Sequence, residues 1–328
     1  MRNLGIITRC NQKCVFCRTQ KFLETGLFRE SSLQTLKSRI EEAVAHGESI
    51  LFSGGGEPTR LANLPALVKY AKDLGATTTV LETNAVKLHD PAYTQALEEA
   101  GLDECVVSLH SHKKEISEQI TQAPETFNLT IQGMKNLSRS KIKFTVILHV
   151  VNTLNFKDIK PFMSFIETEF PNIRKINLCV MRPSKEMPQT IGMTPQFSEM
   201  IPYLKDALDL SLNSRLGIEV ESQSIPLCLA KGFEERLSHV RVIQEGNIKE
   251  MENLRLRWEA VFADVCESCS CRSMCMGLRK EYLDTYGSEE LQPYHEKLAD
   301  VIDAINQRVR KDSSLGRFWA VKDKSPST

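Results

Sequence analysis

Residues 3–17 read NLGIITRCNQKCVFC, a short run carrying Leu4, Ile6 and Ile7 that ends in three cysteines, Cys10, Cys14 and Cys17. The same grammar, an apolar run stopping at polar or glycine residues, returns at 49–59 (SILFSGGGEPT), 77–84 (TTTVLETN), 104–110 (ECVVSLH), 143–152 (KFTVILHVVN) and 174–182 (RKINLCVMR). Between these runs lie amphipathic stretches with helix punctuation. Leu33, Leu36, Ile40 and Val44 share one face after Ser31 and Ser32, and Gly47 closes the segment. Asp90 and Pro91 supply an N-cap and a first helical proline, with Gly101 at the far end. Residues 126–137 and 155–169 continue the series. Strands alternating with helices predict an α/β fold with a parallel sheet. Six such units within the first 185 residues fit a partial (β/α)6 TIM-type barrel as well as a doubly wound sheet, and periodicity alone does not choose.

Beyond Met181 the pattern changes. Prolines at 183 and 188 mark a linker, a helix is predicted over 195–212, and a short strand over 217–221 leads into Ile225-Pro226-Leu227-Cys228. A helix around Leu254, Trp258, Val261 and Phe262 precedes the cysteine-dense string VCESCSCRSMC at 265–275. A last helix is predicted from about Glu289 to Arg310, before a polar tail at 322–328.

The chain has 328 residues, with 42 Lys and Arg against 42 Asp and Glu. A net charge of zero argues against a dedicated nucleic-acid binder, whose basic excess is its electrostatic footprint. The longest apolar runs fall far short of the roughly 20 residues that span a bilayer, and the opening MRNLGIITRC lacks a signal peptide's apolar core. These readings predict a cytoplasmic protein with no membrane partner. In a reducing compartment ten cysteines are metal ligands, catalytic thiols or buried small residues rather than disulfides.

Position decides which. Cys10, Cys14 and Cys17 can wrap three corners of a cubane iron–sulfur cluster and leave the fourth iron open, whereas a structural zinc site takes four protein ligands. Cys266, Cys269 and Cys275, with Cys271 between and Cys228 upstream, are compatible with a zinc knuckle or with a second cluster, and spacing leaves both open. Polar residues stand after strand upon strand: Gly54, Gly55, Gly56 and Glu57; Thr83 and Asn84; Ser108 and His110; Asn152; Arg182. A (β/α) barrel gathers its active site at the carboxyl ends of its strands, so this recurrence predicts a central cavity. Imidazole titrates near neutrality, so His110 is a candidate to orient a ligand or move a proton. His112 reads as solvated, and His149, inside an apolar strand, as a core residue. Cys105 and Cys179, within strands, read as buried small residues.

The cysteine string with an aromatic before its last Cys, the SGGGEPT loop at 53–59, and the Ser-Leu-His ending at 108–110 together resemble the radical S-adenosylmethionine (SAM) superfamily. The string CMGLRKEYLDTYGSEELQP at 275–293 resembles the end of superfamily members with a single auxiliary cluster domain, of the twitch or SPASM-like kind, through Cys275, Gly277, Tyr282, Tyr286 and Gly287. The resemblance implies two [4Fe-4S] clusters. One, on Cys10, Cys14 and Cys17, binds SAM and cleaves it reductively to a radical that removes hydrogen from a substrate. The other rests on Cys228, Cys266, Cys269 and Cys275. It further implies that Phe16 packs near the adenine, that the glycines and Glu57 hold the SAM amino group, that Thr83 and Asn84 lie by the ribose, and that Ser108, Asn152 and Arg182 lie toward the cofactor. The corresponding domains are a radical SAM partial barrel over 1–185, a linker and bridging helix over 186–216, the auxiliary cluster domain over 217–296, and a C-terminal helix and tail over 297–328.

By the same resemblance the substrate is a ribosomally synthesised precursor peptide, epimerised, crosslinked or cut. With no peptide-binding domain before the first strand, a small leader-binding partner is expected. An electron donor such as flavodoxin or ferredoxin is expected as well. The rival enzyme reading is a tailoring reaction on a nucleoside, sugar or amino acid, and the non-enzymatic one is a zinc-stabilised interaction module.

Overall fold

The computed structural model describes residues 1–19, 30–221, 225–240 and 248–311, so the predicted tail at 322–328 lies outside the described residues. The strands are β1 (Arg2–Gly5), β2 (Ile50–Ser53), β3 (Thr79–Thr83), β4 (Glu104–Ser108), β5 (Lys143–Val151), β6 (Lys175–Val180) and β7 (Gly217–Val220), ordered as in the chain within one sheet. That order ends at β1 and β7, so the fold is the partial barrel of the α/β class. It has one strand more than the six expected, because the short run at 217 pairs in parallel with β6, Lys175 to Gly217 through Leu178 to Val220. Two compact units divide the chain: Met1–His149 with Ser164–Arg174, and Val150–Met163 with Lys175–Thr328.

In the first unit the ladders are parallel, with Gly5 opposite Ser53, Phe52 opposite Leu81, Thr83 opposite Val107 and Ser108 opposite Leu148. This register brings the residues after β1, β2, β3 and β4 to one edge of the sheet. Helices α1 (Leu33–Ala45), α2 (Leu64–Asp73), α3 (Pro91–Glu99), α4 (Lys114–Thr121) and α5 (Thr126–Leu137) follow the strands, and α6 (Ile159–Glu169) follows β5. Two of them carry side-chain N-caps, the second at the Asp90 that the sequence marked as one. Ser32 accepts from Thr35 N at 3.1 Å, and Asp90 accepts from Ala92 N at 3.0 Å. Leu4, Phe52, Leu81, Val107 and Ile147 are fully buried and form the core.

The second unit holds α7 (Gln189–Met193), α8 (Phe197–Leu212), α9 (Ile248–Arg257), a two-residue hairpin of β8 (Ala260–Val261) with β9 (Leu278–Arg279), α10 (Lys280–Tyr286) and α11 (Leu298–Lys311). Three expectations shift here. The linker carries α7. The helix expected around Val261 ends at Arg257, since Glu259 turns left-handed at φ 50° and the chain then enters the hairpin. The last helix starts at Leu298 instead of Glu289, because Pro293 cannot continue a helix interior and Leu291 is used in packing. No helix of the described residues is long and apolar enough to cross a membrane.

Gly133 on α5 sets how closely that helix approaches the loop after β3, since a Cβ there would run into the Ala85 carbonyl. Gly133→Ala is therefore expected to lower stability by about 1–3 kcal/mol, the cost of overpacking a close contact, measured by urea denaturation against wild type.

Candidate functional site

The glycine loop after β2 is a bed for the cysteine loop. Ile6 N donates to Ser53 O at 3.0 Å, Gly56 N to Ile7 O at 3.0 Å and Glu57 N to Arg9 O at 3.0 Å, so the two chains stay zipped past the sheet edge. A Cβ at Gly54 would meet Ile7 O at 2.6 Å, and one at Gly56 would enter the Arg9 carbonyl. The glycines are thus required by backbone-on-backbone contact within the protein. The cysteine loop is held on its other side by α4, with Lys13 N on Thr121 O at 2.8 Å and Val15 N on Ile120 O at 2.9 Å. Cys10 is exposed, and Cys14 and Cys17 are partly buried. Gln12 N donates to Cys10 Sγ at 3.4 Å, and Cys17 N closes a turn on Cys14 O at 2.8 Å. Burial pushes the Cys14 thiol up to about 12, and the neighbouring Cys17 and Cys10 push the same way. Three thiols close together on one loop, with Cys10 and Cys14 pushed up first by burial and then by neighbouring groups, are a donor set for a positively charged group, which deprotonates the thiols it binds. Among the described residues no group of three or more His, Cys, Asp or Glu is gathered tightly enough to hold a single metal ion, so Cys10, Cys14 and Cys17 stand as candidate ligands by their shared loop.

Glu57, 3% exposed, caps the single helical turn Pro58–Arg60 and faces the protein. Its Oε1 accepts from Thr59 N at 3.1 Å, Thr59 Oγ1 at 2.7 Å and Thr83 Oγ1 at 2.6 Å, while Oε2 accepts from Asn84 N at 2.8 Å. Burial raises its pKa against the pull of these bonds. The carboxylate therefore bolts the β2 loop to the β3 loop. Asn84 carries the chain of contacts onward, with Nδ2 donating to Asn11 Oδ1 at 2.7 Å and standing 4.0 Å from Cys10 Sγ. Ala85 next to it sits at φ 58°, where glycine is at ease and alanine is strained.

The β4 end supplies Ser108, half-buried, and His110, 5% exposed. The His110 ring meets Phe16 edge-on with centroids 5.0 Å apart, which ties it to the residue between Cys14 and Cys17. His149 lies 6.4 Å from His110, and its Nδ1 pairs with Leu109 O at 3.0 Å. Burial pushes His110 down to about 3, helped by His149, and pushes His149 down to about 4. Both rings stay neutral at physiological pH. His112, read as solvated, is half-buried and 5.9 Å from the Phe165 ring.

In the second unit Asn152 is buried, and its Oδ1 accepts from Leu154 N at 2.8 Å in a turn after β5. The Arg182 guanidinium lies 4.2 Å over the Trp258 ring. Arg182 also lines a small open pocket with Arg279 and Tyr282. The second cysteine group converges from three segments. Cys228, Cys266, Cys269, Cys271 and Cys275 line one pocket together with Leu227, Phe262 and Tyr294. Cys275 Sγ accepts from Leu227 N and Gly277 N at 3.3 Å each, and Cys269 Sγ accepts from Tyr294 N at 3.4 Å. Amides aimed at sulfur stabilise thiolates and are a device that tunes iron–sulfur clusters. Burial pushes Cys228 up to about 12 and Cys275 up to about 11, so these thiols also ionise when a metal takes them. The sequence pointed to neither Tyr294 nor Leu227, whose backbone amides carry no side-chain signal. Tyr282, buried, stacks on Phe197 at 4.2 Å and accepts from Phe197 N at 2.8 Å, a packing role.

A profile of the radical SAM superfamily matches residues 4–166. Among curated relatives, the chain is 31% identical over 161 residues to Fe-coproporphyrin III synthase of Methanosarcina barkeri, a match that spans 49% of this chain and 39% of that protein. It is 24% identical over 288 residues to GTP 3',8-cyclase of Nautilia profundicola, covering 76% of this chain and 86% of the relative. Among solved structures, native anSMEcpe with bound AdoMet and the peptide Cp18Cys superposes with a TM-score of 0.59 at 13% identity, over 97% of this chain and 98% of that one. That likeness is one of fold.

Two outcomes follow from the site. Glu57→Ala orphans four buried donors and is expected to cost about 3 kcal/mol or more, with Glu57→Gln, which keeps one oxygen but turns an NH₂ toward Asn84 N, falling between. Thermal melts of the three proteins check the order. For the histidines, the unfolded rings take up protons near pH 6.5 and the folded ones do not, so stability falls as pH drops below about 6.5. Between pH 6.5 and 5 the loss is expected to be on the order of 2 kcal/mol per ring, and His110→Leu should flatten the measured slope by its share.

Proposed function

The chain belongs, through residues 4–166, to the radical SAM superfamily, and on that premise we propose that it is a two-cluster enzyme that abstracts hydrogen from a peptide. The carrying observation is the pair of thiol sets: three on a loop clamped between the glycine bed and α4, and a second group lining one pocket, with backbone amides on Cys275 and Cys269. When bound, the first cluster and SAM supply the electron transfer and the radical. The chain's own part is to hold and shield. Gly54 to Gly56 and Glu57 fix the height of the cysteine loop, Asn84 ties it to β3, and the neutral His110 braces Phe16. Ligand contacts of Ser108, Thr83, Asn152 and Arg182 belong to this proposal. Cys228, Cys266, Cys269 and Cys275 are the proposed ligands of the auxiliary cluster.

The peptide substrate is supported by the likeness over nearly the whole chain to a structure holding AdoMet and a peptide. The epimerising, crosslinking or cleaving outcome, a leader-binding partner, a flavodoxin or ferredoxin as electron donor and a cytoplasmic site of action belong to the same proposal. A second reading, a small anionic substrate, draws on the GTP 3',8-cyclase similarity and on Arg182 and Arg279, which line one small open pocket.

Anaerobically purified protein is expected to be brown, to hold about eight irons and to release 5'-deoxyadenosine from SAM on reduction. Replacing Cys10, Cys14 and Cys17 by Ala should abolish that release and leave about four irons. Colourless protein holding zinc would overturn the proposal. Mass spectrometry after incubation with candidate precursor peptides or with GTP separates the two substrate readings, each by a mass change in its own substrate.

A further inference from the structure

Tyr294 stands where the second thiol group meets the rest of its unit. Its backbone pairs with the cysteine string in both directions, Tyr294 N on Cys269 Sγ at 3.4 Å and Ser270 N on Tyr294 O at 2.9 Å. Its side chain is buried and lines the pocket. The hydroxyl donates to Glu234 Oε1 at 2.7 Å and lies 3.4 Å from the carbonyl of Leu227, whose own N ends on Cys275 Sγ. Burial and the Glu234 contact keep that hydroxyl protonated, so it is a standing donor. One side chain thus links the two segments whose amides reach Cys269 and Cys275.

Glu234 is held in its turn. It is 4% exposed and its neighbour Glu235 is 7% exposed, both on the helical turn Glu234–Arg236. One guanidinium spans the two acids: Arg308 on α11 donates from Nη2 to Glu234 Oε2 and from Nε to Glu235 Oε2, the latter at 2.7 Å. Gly232 N shares the same Glu234 oxygen at 2.9 Å. Adjacent buried acids that lose their cation are left uncompensated in a medium that screens them poorly. A guanidinium fork reaches both, whereas an ammonium is a single point. Arg308, Glu234, Tyr294 and Cys269 therefore form an unbroken line of bonds from α11 to a sulfur.

We propose that Arg308 is a positioning residue for the second thiol group, acting through Glu234 and Tyr294 on Cys269 and, by way of Leu227, on Cys275. With Arg308 in place, Glu234 holds the Tyr294 hydroxyl and the Tyr294 N–H stays on Cys269. Without it, Glu234 turns toward water, Tyr294 loses its fixed acceptor, and the amides on both sulfurs slacken. Helix α11 is then a latch on the thiol pocket as well as a covering element. The ligand role of these thiols rests on the auxiliary-cluster reading, while the line of bonds belongs to the protein whatever the thiols bind.

The test is the rate at which N-ethylmaleimide alkylates each thiol, read by peptide mass spectrometry on the full chain purified anaerobically. Arg308→Met is expected to speed the partly buried Cys269 several-fold, with Cys10 and Cys179 at wild-type rates. Cys179 lies on β6 of the same unit, so a general loosening of that unit would speed it too. Tyr294→Phe keeps the ring and the backbone amide but cuts the line at the hydroxyl, and should speed Cys269 likewise. Both changes break one line, so the double variant should be no faster than the faster single variant. Arg308→Lys keeps the charge, loses the fork and should fall between. Wild-type Cys269 rates in Arg308→Met or Tyr294→Phe, effects that multiply in the double variant, or an equal rise at Cys179 overturn the proposal. Should Arg308→Met fail to fold, Arg308→Lys alone and with Tyr294→Phe carries the same comparison. Iron content judges the auxiliary-cluster reading separately: about four irons in wild type, all lost with Cys10, Cys14 and Cys17, overturns that reading, and the alkylation rates still decide the role of Arg308.

Discussion

The carboxylate of Glu57 receives four hydrogen bonds from Thr59, Thr83 and Asn84 inside the protein, and the cysteine-bearing edge of the sheet hangs from it. A buried carboxylate without a cation beside it is expensive unless every lone pair is used, so the donors must stand where they do. That requirement fixes the β2 loop relative to the β3 loop. The β2 loop in turn carries residues 7–9 on its backbone, and Asn84 reaches the cysteine loop directly through Asn11. The height and tilt of three thiols are thus set by one acid that touches none of them. The same arrangement explains the glycines, since any side chain at Gly54 or Gly56 would push the two backbones apart.

What the sequence made legible was local. Strand runs, helix caps at Ser32 and Asp90, and the clustered cysteines are written in neighbouring residues, and short-range rules read them. The orientation of Glu57 was not legible, because an acid after three glycines looks the same whether it faces a ligand or four protein donors, and Thr83 and Asn84 lie 26 and 27 positions away. Tyr294 escaped for a related reason. Its contribution to Cys269 is a backbone N–H, which every residue but proline possesses. The overrun of the last helix came from Leu291, whose apolar character fits a helix face and equally fits the wall of the thiol cavity it lines.

The two thiol groups solve opposite problems. The first loop is held by bonds among protein groups, Gly56 N to Ile7 O and Lys13 N to Thr121 O, and leaves Cys10 at the surface. It is shaped before anything binds and is open to a ligand. The second lies deeper, with Cys228, Cys271 and Cys275 buried, and amides end on the sulfurs of Cys269 and Cys275.

That difference separates how the two sites relate to folding. A thiol is a weak acceptor and a thiolate a strong one, and burial keeps Cys228 and Cys275 protonated in the metal-free protein. On the proposed reading, the bonds that Leu227 N and Gly277 N make to Cys275 reach full strength when a metal draws off its proton, so binding there would contribute directly to the stability of the second unit. At the first loop the protein–protein bonds are complete in either state. Under the proposed reading, loss of the first site would remove a reactive centre from an otherwise finished fold, while loss of the second would slacken the segments that form it.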